Sequence, residues 1–274
     1  MTGNAKTKKT GESVKKPFLT GNATDENTVK NSLLFFGGLI IVFFVSFLVC
    51  AMTNSTGNIL RLIINPAVII LTVTIFFNRG SVHGAEAVAR GEILWQKQEK
   101  GQNFSESEKK ICYHPAKAFI IGIAGTIPFI VIAVLLSLNT KVQTTTAGTL
   151  PGWMQAYMRR DEVAAPLVSY LESTGMGLTD ILRIIVRLAV MPFVSLVGAD
   201  NYQAVYWVEK LSPLILLIPG CAYGIGYLSG PALRSKVHTA ISESNRKRIR
   251  REKKERRRRA GLLSAKPKEP EKLN

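Results

Sequence analysis

Cysteine and histidine are scarce, three of each in 274 residues. Three cysteines cannot build a disulfide framework, and Cys112-Tyr113-His114 falls short of the four ligands of a structural zinc site. His83 and Glu86 form an H-x-x-E pair, but the other histidines, His114 and His238, are far away in the chain. There is no Walker A loop, no G-x-G-x-x-G turn, no G-x-S-x-G elbow and no H-E-x-x-H pair. These absences set aside the familiar nucleotide-, serine- and zinc-based chemistries. The expectation is a non-enzymatic protein with no catalytic residue, metal or cofactor. Aromatic residues are also missing from 229–274, so nothing there can stack on nucleic-acid bases.

What is present is apolar length. Residues 33–52 run for 20 residues without a charge, and 118–138 is uncharged over a similar stretch. At about 1.5 Å per residue, 20 helical residues span roughly 30 Å, the thickness of a bilayer core. A cleaved signal peptide fits 33–52 poorly, because its apolar core exceeds 7–15 residues and 32 polar residues precede it. Residues 59–77 and 211–228 are further spanning candidates. Residues 181–197 are apolar except for Arg183, Arg187 and Ser195.

Charge decides which candidates cross. Eleven of the fourteen residues from Arg246 to Arg259 are basic, and sixteen Lys plus Arg follow Leu228. The first 32 residues hold six Lys against three acids. Both ends therefore belong in the cytosol, which demands an even number of crossings. Five candidates exist, so one does not cross. Arg183 and Arg187 lie on one helical face with Asp180, and an Arg inside a spanning helix costs roughly 2.5–3.5 kcal/mol. The spacing thus predicts that 179–197 is an interfacial amphipathic or re-entrant helix. Dropping 59–77 instead would put the seven basic residues of 78–117 outside.

The expected fold class is an all-α integral membrane protein with four transmembrane helices, 33–52, 59–77, 118–138 and 211–228, plus the extra helix. Residues 1–32 form a disordered basic tail and 78–117 a cytosolic loop whose mixed-charge stretch GAEAVARGEILWQKQEKG has helical character. Residues 139–210 form an exterior interfacial segment, and 229–274 a second cytosolic tail that begins as a basic helix. The exterior segment holds Trp153, Tyr157, Tyr170, Tyr202, Tyr206 and Trp207, as interface belts do. It also contains a candidate helix at 152–174 and the charge cluster Arg159-Arg160-Asp161-Glu162.

Arg183 and Arg187 are candidates for lipid contact. So are Arg246, Lys247, Arg248, Arg250, Arg251, Arg256, Arg257, Arg258 and Arg259, since anionic phospholipids attract juxtamembrane basic runs. Gly220–Gly224 and Gly226–Gly230 give two GxxxG spacings, and Ala118–Gly122 a similar notch. These suit packing within the chain, a homo-oligomer or a membrane-protein partner. Pro66, Pro128, Pro213 and Pro219 fall within spans. Yet the spans contain only Arg61, near one end, and the polar Asn65 at depth, which weighs against ion-coupled transport.

The stretches RGEILWQKQEKG and YHPAKAFIIGIAG, with a basic helix after GYLSGPALRSKV, resemble polytopic membrane proteins of clostridia-like Gram-positive bacteria. The resemblance covers about a third of the chain. It implies a bacterial cytoplasmic membrane and carries no activity, ligand or catalytic residue. The expectation is a scaffold or accessory subunit whose tail contacts anionic lipids. The alternatives are a small transporter or channel subunit, and a tail that binds nucleic acid or the ribosome.

Overall fold

The computed structural model describes residues 16–54, 58–140, 177–198 and 201–264. Among them the chain is helical without strands: α1 (Glu26–Asn54), α2 (Asn58–Glu99), α3 (Glu106–Lys110), α4 (Pro115–Asn139), α5 (Leu178–Ala189), α6 (Met191–Val197), α7 (Tyr202–Leu228) and α8 (Gly230–Ser264). Helix 152–174, Trp153, Tyr157, Tyr170 and the Arg159–Glu162 cluster lie outside the described residues. Two units are described separately, Phe18–Gly230 and the one containing Pro231–Ser264.

Four helices are long and apolar enough to cross a membrane: Glu26–Thr53, Ile59–Glu99, Pro115–Asn139 and Tyr202–Leu228. They contain the four expected spans, and 181–197 is not among them. Their outward faces carry exposed Ile40, Ile41, Phe44, Leu62, Ile70, Val131 and Leu214. In water this surface would be a large contiguous apolar patch; in a bilayer, lipid covers it. The chain is a multi-pass membrane protein.

α7 is the central helix and packs against α2 and α4 along most of its length. Glycine makes this approach possible. A Cβ on Gly122 would lie 2.6 Å from the Gly220 carbonyl oxygen, and one on Gly220 would lie 3.1 Å from that of Gly122. Gly80 and Gly84 of α2 abut the Tyr223 and Tyr227 backbone, Gly226 abuts Phe77, Gly224 faces the Phe119 ring, and Gly230 sits on Gly84. In hydrocarbon such close backbone contact supplies the attraction that hydrophobicity cannot.

Residues 78–99 of the expected connection are helical, in keeping with their helical character. α2 continues through them unbroken for 42 residues. Ala, Glu, Gln and Lys in this stretch are strong helix formers, and no proline interrupts. Its glycines resemble breaks in the sequence but serve as contact points; a Cβ on Gly91 would meet the Leu19 carbonyl at 2.5 Å.

The N-terminal segment is likewise ordered from Phe18, not a free tail to residue 32. Leu19 N–H donates to Gly91 O (3.2 Å) and Gly21 N–H to Tyr113 O (3.0 Å). Phe18 meets Tyr113 edge-on, and Tyr113 stacks on Tyr227 at 5.3 Å. Asp25 then starts α1 by accepting from the Thr28 N–H at 2.6 Å, as a capping carboxylate does. Asp25 also takes Lys117 Nζ at 2.9 Å, and the same ammonium donates to the Lys110 and Cys112 carbonyls. The starts of α1 and α4 are thereby tied together at one end of the bundle. Ser137 of α4 donates to the Lys210 carbonyl of α7 at the other.

Candidate functional site

α5 is strongly amphipathic, with Arg183 and Val186 turned inward. Asp180 closes its first turn by accepting the Gly177 N–H at 3.1 Å. The helix stops at Val190, which has φ −102° and ψ 18°. Pro192 explains the stop: it has no N–H, and its ring clashes with the carbonyl four residues back. Val190 still donates to Val186 O and accepts from Phe193 and Val194. The bend therefore leaves this residue's own backbone groups paired, as an apolar interior requires.

The neighbours of α5 and α6 fix where the bend lies. Arg183 sits at Glu209 and Thr140, near the start of α7 and the end of α4. Ala189 and Pro192 then share a small cavity of about 40 Å³ with Phe43, Thr72 and Leu216. Thr72 and Leu216 are each fourteen residues into their helices, roughly 20 Å of rise. Beyond the bend, Ser195 meets Asn65 and Gly198 lies beside the Arg61 guanidinium, back toward the start of α2. α5 thus runs inward and α6 runs back out, with the turn level with the apolar runs of three spans. The segment is re-entrant rather than flat on the interface, because its apolar side is covered by the spans themselves.

The mouth of this re-entrant pair is closed by charge. Glu209, with its side chain 2% exposed, accepts from Arg183 Nε at 3.1 Å and from Arg187 Nε at 2.6 Å. Arg183, 5% exposed, also reaches Asp180 Oδ1 at 3.4 Å and Thr140 Oγ1 at 3.3 Å. Thr140 in turn donates to Glu209 Oε2 at 2.7 Å. Two cations and two carboxylates make the network neutral, and a hydroxyl fills remaining valences, which is what a buried ion cluster needs to persist. Beside it Tyr206 and Trp207 meet edge-on, with Lys210 Nζ over both rings at 5.5 and 5.6 Å. These aromatics mark an interface belt.

Arg183 and Arg187 therefore do not form an outward stripe toward lipid. Arg183 is buried on Glu209, and Arg187 shares the same carboxylate. Glu209 is the residue the sequence reading passed over, because the fourth span was started at 211. The signal was available: Tyr202 to Leu228 reads as one helix, placing Glu209 within its second turn.

Deeper in, Asn65 is fully buried and donates from Nδ2 to Ser195 Oγ at 2.9 Å, while its Oδ1 has no partner among the described residues. An orphaned buried acceptor costs about 1–3 kcal/mol.

Gly220, Gly224, Gly226 and Gly230 all take part in contacts within the chain. Arg246, Lys247, Arg248, Arg250, Arg251, Arg256, Arg257, Arg258 and Arg259 all lie on α8 and are exposed. No group of three or more metal-ligating side chains occurs among the described residues. Comparison with protein-family models, curated proteins and solved structures found no match.

Proposed function

We propose that this chain is a small, non-enzymatic membrane transport component in which the α5–α6 pair gates a polar route past Asn65. One observation carries this: a helix pair broken at mid-bundle, near a fully buried amide whose oxygen has no partner among the described residues. Non-helical backbone at membrane depth is tolerated where protein or a water-lined cavity receives it. Discontinuous helices and intramembrane ionisable groups are the parts from which solute sites in transporters are built. Glu209, at the mouth of the pair, is an ionisable group within a spanning helix, the kind of residue whose scarcity weighs against ion-coupled transport. The packed bend is the closed state, and a small polar solute that can donate to Asn65 Oδ1 is the fitting cargo.

Substituted-cysteine labelling tests this. In a variant with Cys50, Cys112 and Cys221 changed to Ser, a membrane-impermeant thiol reagent should modify Ser195→Cys in proteoliposomes. Asn65→Leu should abolish flux of small polar solutes without lowering thermal stability. An unreactive Ser195→Cys together with flux equal to empty liposomes refutes the proposal.

A second feature favours lipid contact by α8. Residues 246–259 are exposed on every side of one helix, so no apolar stripe exists for insertion and attraction to anionic headgroups is purely electrostatic. Both termini would face the cytosol of a bacterial cell. The tail should be protected from trypsin in phosphatidylglycerol proteoliposomes and cleaved in phosphatidylcholine ones; equal cleavage in both refutes it.

A further inference from the structure

At the opposite end of the bundle from the re-entrant pair, α1 and α2 separate around a cavity of about 270 Å³. Its walls come from two facing rows of side chains. Asn27, Lys30 and Asn31 lie one turn apart on the first turns of α1, and His83, Glu86 and Arg90 on the extension of α2.

The interior polar groups are held in place. Lys117 is locked by Asp25 and two carbonyls. His83 Nδ1 is hydrogen-bonded to Tyr223 Oη at 2.9 Å, which fixes the ring. Tyr227 also lines the cavity. It is 2% exposed, and its hydroxyl has no partner in hydrogen-bond geometry among the described residues, although the His114 backbone is near it. A phenol in that position is expected to find a partner. Lys30 and Arg90 stand at the mouth, both exposed. The lining carries three cations (Lys30, Arg90, Lys117) against two carboxylates (Asp25, Glu86), and Arg79 lies close enough to His83 to act on it electrostatically. The surplus is positive, and cations with a phenolic O–H are the donors that recognise an anionic oxygen.

The cavity also has an apolar edge. Leu34 of α1 and Ile121 of α4 line it, and both belong to the apolar runs of their spans. The site therefore straddles the boundary where a headgroup meets its acyl chains.

We infer that this cavity binds a phosphate ester, with Lys30 and Arg90 taking the charge and Tyr227 donating to a phosphate oxygen. The ester can arrive as a phospholipid headgroup or as a soluble phosphate, and the test separates the two. Purified full-length protein in a neutral detergent is titrated with glycerol 3-phosphate against sodium chloride of matched ionic strength, reading the melting temperature. In parallel, it is reconstituted with phosphatidylglycerol or phosphatidylcholine, and retained lipid is counted by native mass spectrometry. Saturable stabilisation by glycerol 3-phosphate identifies a soluble ligand, and selective retention of phosphatidylglycerol identifies a lipid. Lys30→Gln/Arg90→Gln should weaken either by about tenfold or more, and Tyr227→Phe, which keeps the ring stack, should weaken it severalfold. Lys100→Gln, an exposed cation outside the cavity lining, should change neither. Absence of both responses, binding unchanged in Lys30→Gln/Arg90→Gln, or binding abolished by Lys100→Gln each overturns the inference.

Discussion

Neutralising Glu209 is the sharpest perturbation of this bundle. Glu209→Gln keeps the shape and removes the charge that two guanidiniums share at 3.1 and 2.6 Å. Arg183 is then a nearly inaccessible cation whose remaining acidic contact is Asp180 at 3.4 Å, itself 38% exposed. Breaking a buried pair by removing one partner costs about 3–5 kcal/mol. Arg187 is 21% exposed, so Arg187→Gln leaves Glu209 paired with Arg183 and costs about 2 kcal/mol, the scale of one charged hydrogen bond. The ranking is the test: the acid should matter more than either its outer arginine or Thr140.

At roughly 2–4 °C per kcal/mol for a chain of this size, Glu209→Gln should lower the melting temperature in detergent by about 10 °C. Arg187→Gln should lower it by roughly half that or less. Arg183→Met/Glu209→Leu should recover at least half of the loss, since a well-packed apolar replacement of an ion pair is often neutral. A Glu209→Gln protein within about 2 °C of wild type would refute the reasoning. So would Arg187→Gln costing more than Glu209→Gln, or a double substitution no better than the single one.

Three further outcomes follow from the packing and the charges. Gly122→Val should force α4 from α7, because a Cβ there lies 2.6 Å from the Gly220 oxygen, and should cost several kcal/mol, about the scale of severe overpacking; Gly37→Val, with nothing within 4 Å of its Cβ, should be silent in the same melt. Burial pushes the Asp25 carboxyl up, but its bonds from Thr28 and Lys117 outweigh this and hold it below 3.8; its contribution is complete above that value and is lost as pH falls through the lower folded one, so Asp25→Asn should flatten the acid limb of a stability-versus-pH curve below about pH 4. Reporter fusions at Gln102 and Asn274 should read cytosolic and those at Asn54, Pro151 and Asp200 exterior; a cytosolic Asp200 with an exterior Pro151 would overturn a four-span arrangement.

The four spans were legible because a bilayer writes its thickness directly into the chain as apolar runs. Parity then removed 181–197 from the crossings, and its charges pointed to amphipathic character. Its re-entrant course was not legible, because periodicity reports a helix's own two faces but not which neighbours cover the apolar one. Arg183 and Arg187 looked like a stripe seeking phosphate because their acid lies 22 residues or more away in sequence, just outside the window used to define a span. Hydropathy windows are drawn to exclude charges, so an ionisable group in the first turns of a spanning helix is assigned to the loop before it. Residues 78–99 show a different limit: their helical character was legible, but not how they pack. Three glycines in a mixed-charge stretch carry no sign, in sequence alone, of what lies against them. In the bundle, Gly80, Gly84 and Gly91 are where another backbone comes closest. The same atom-sized absence that weakens an isolated helix is what lets this one extend beyond its apolar run and form a wall of the polar cavity.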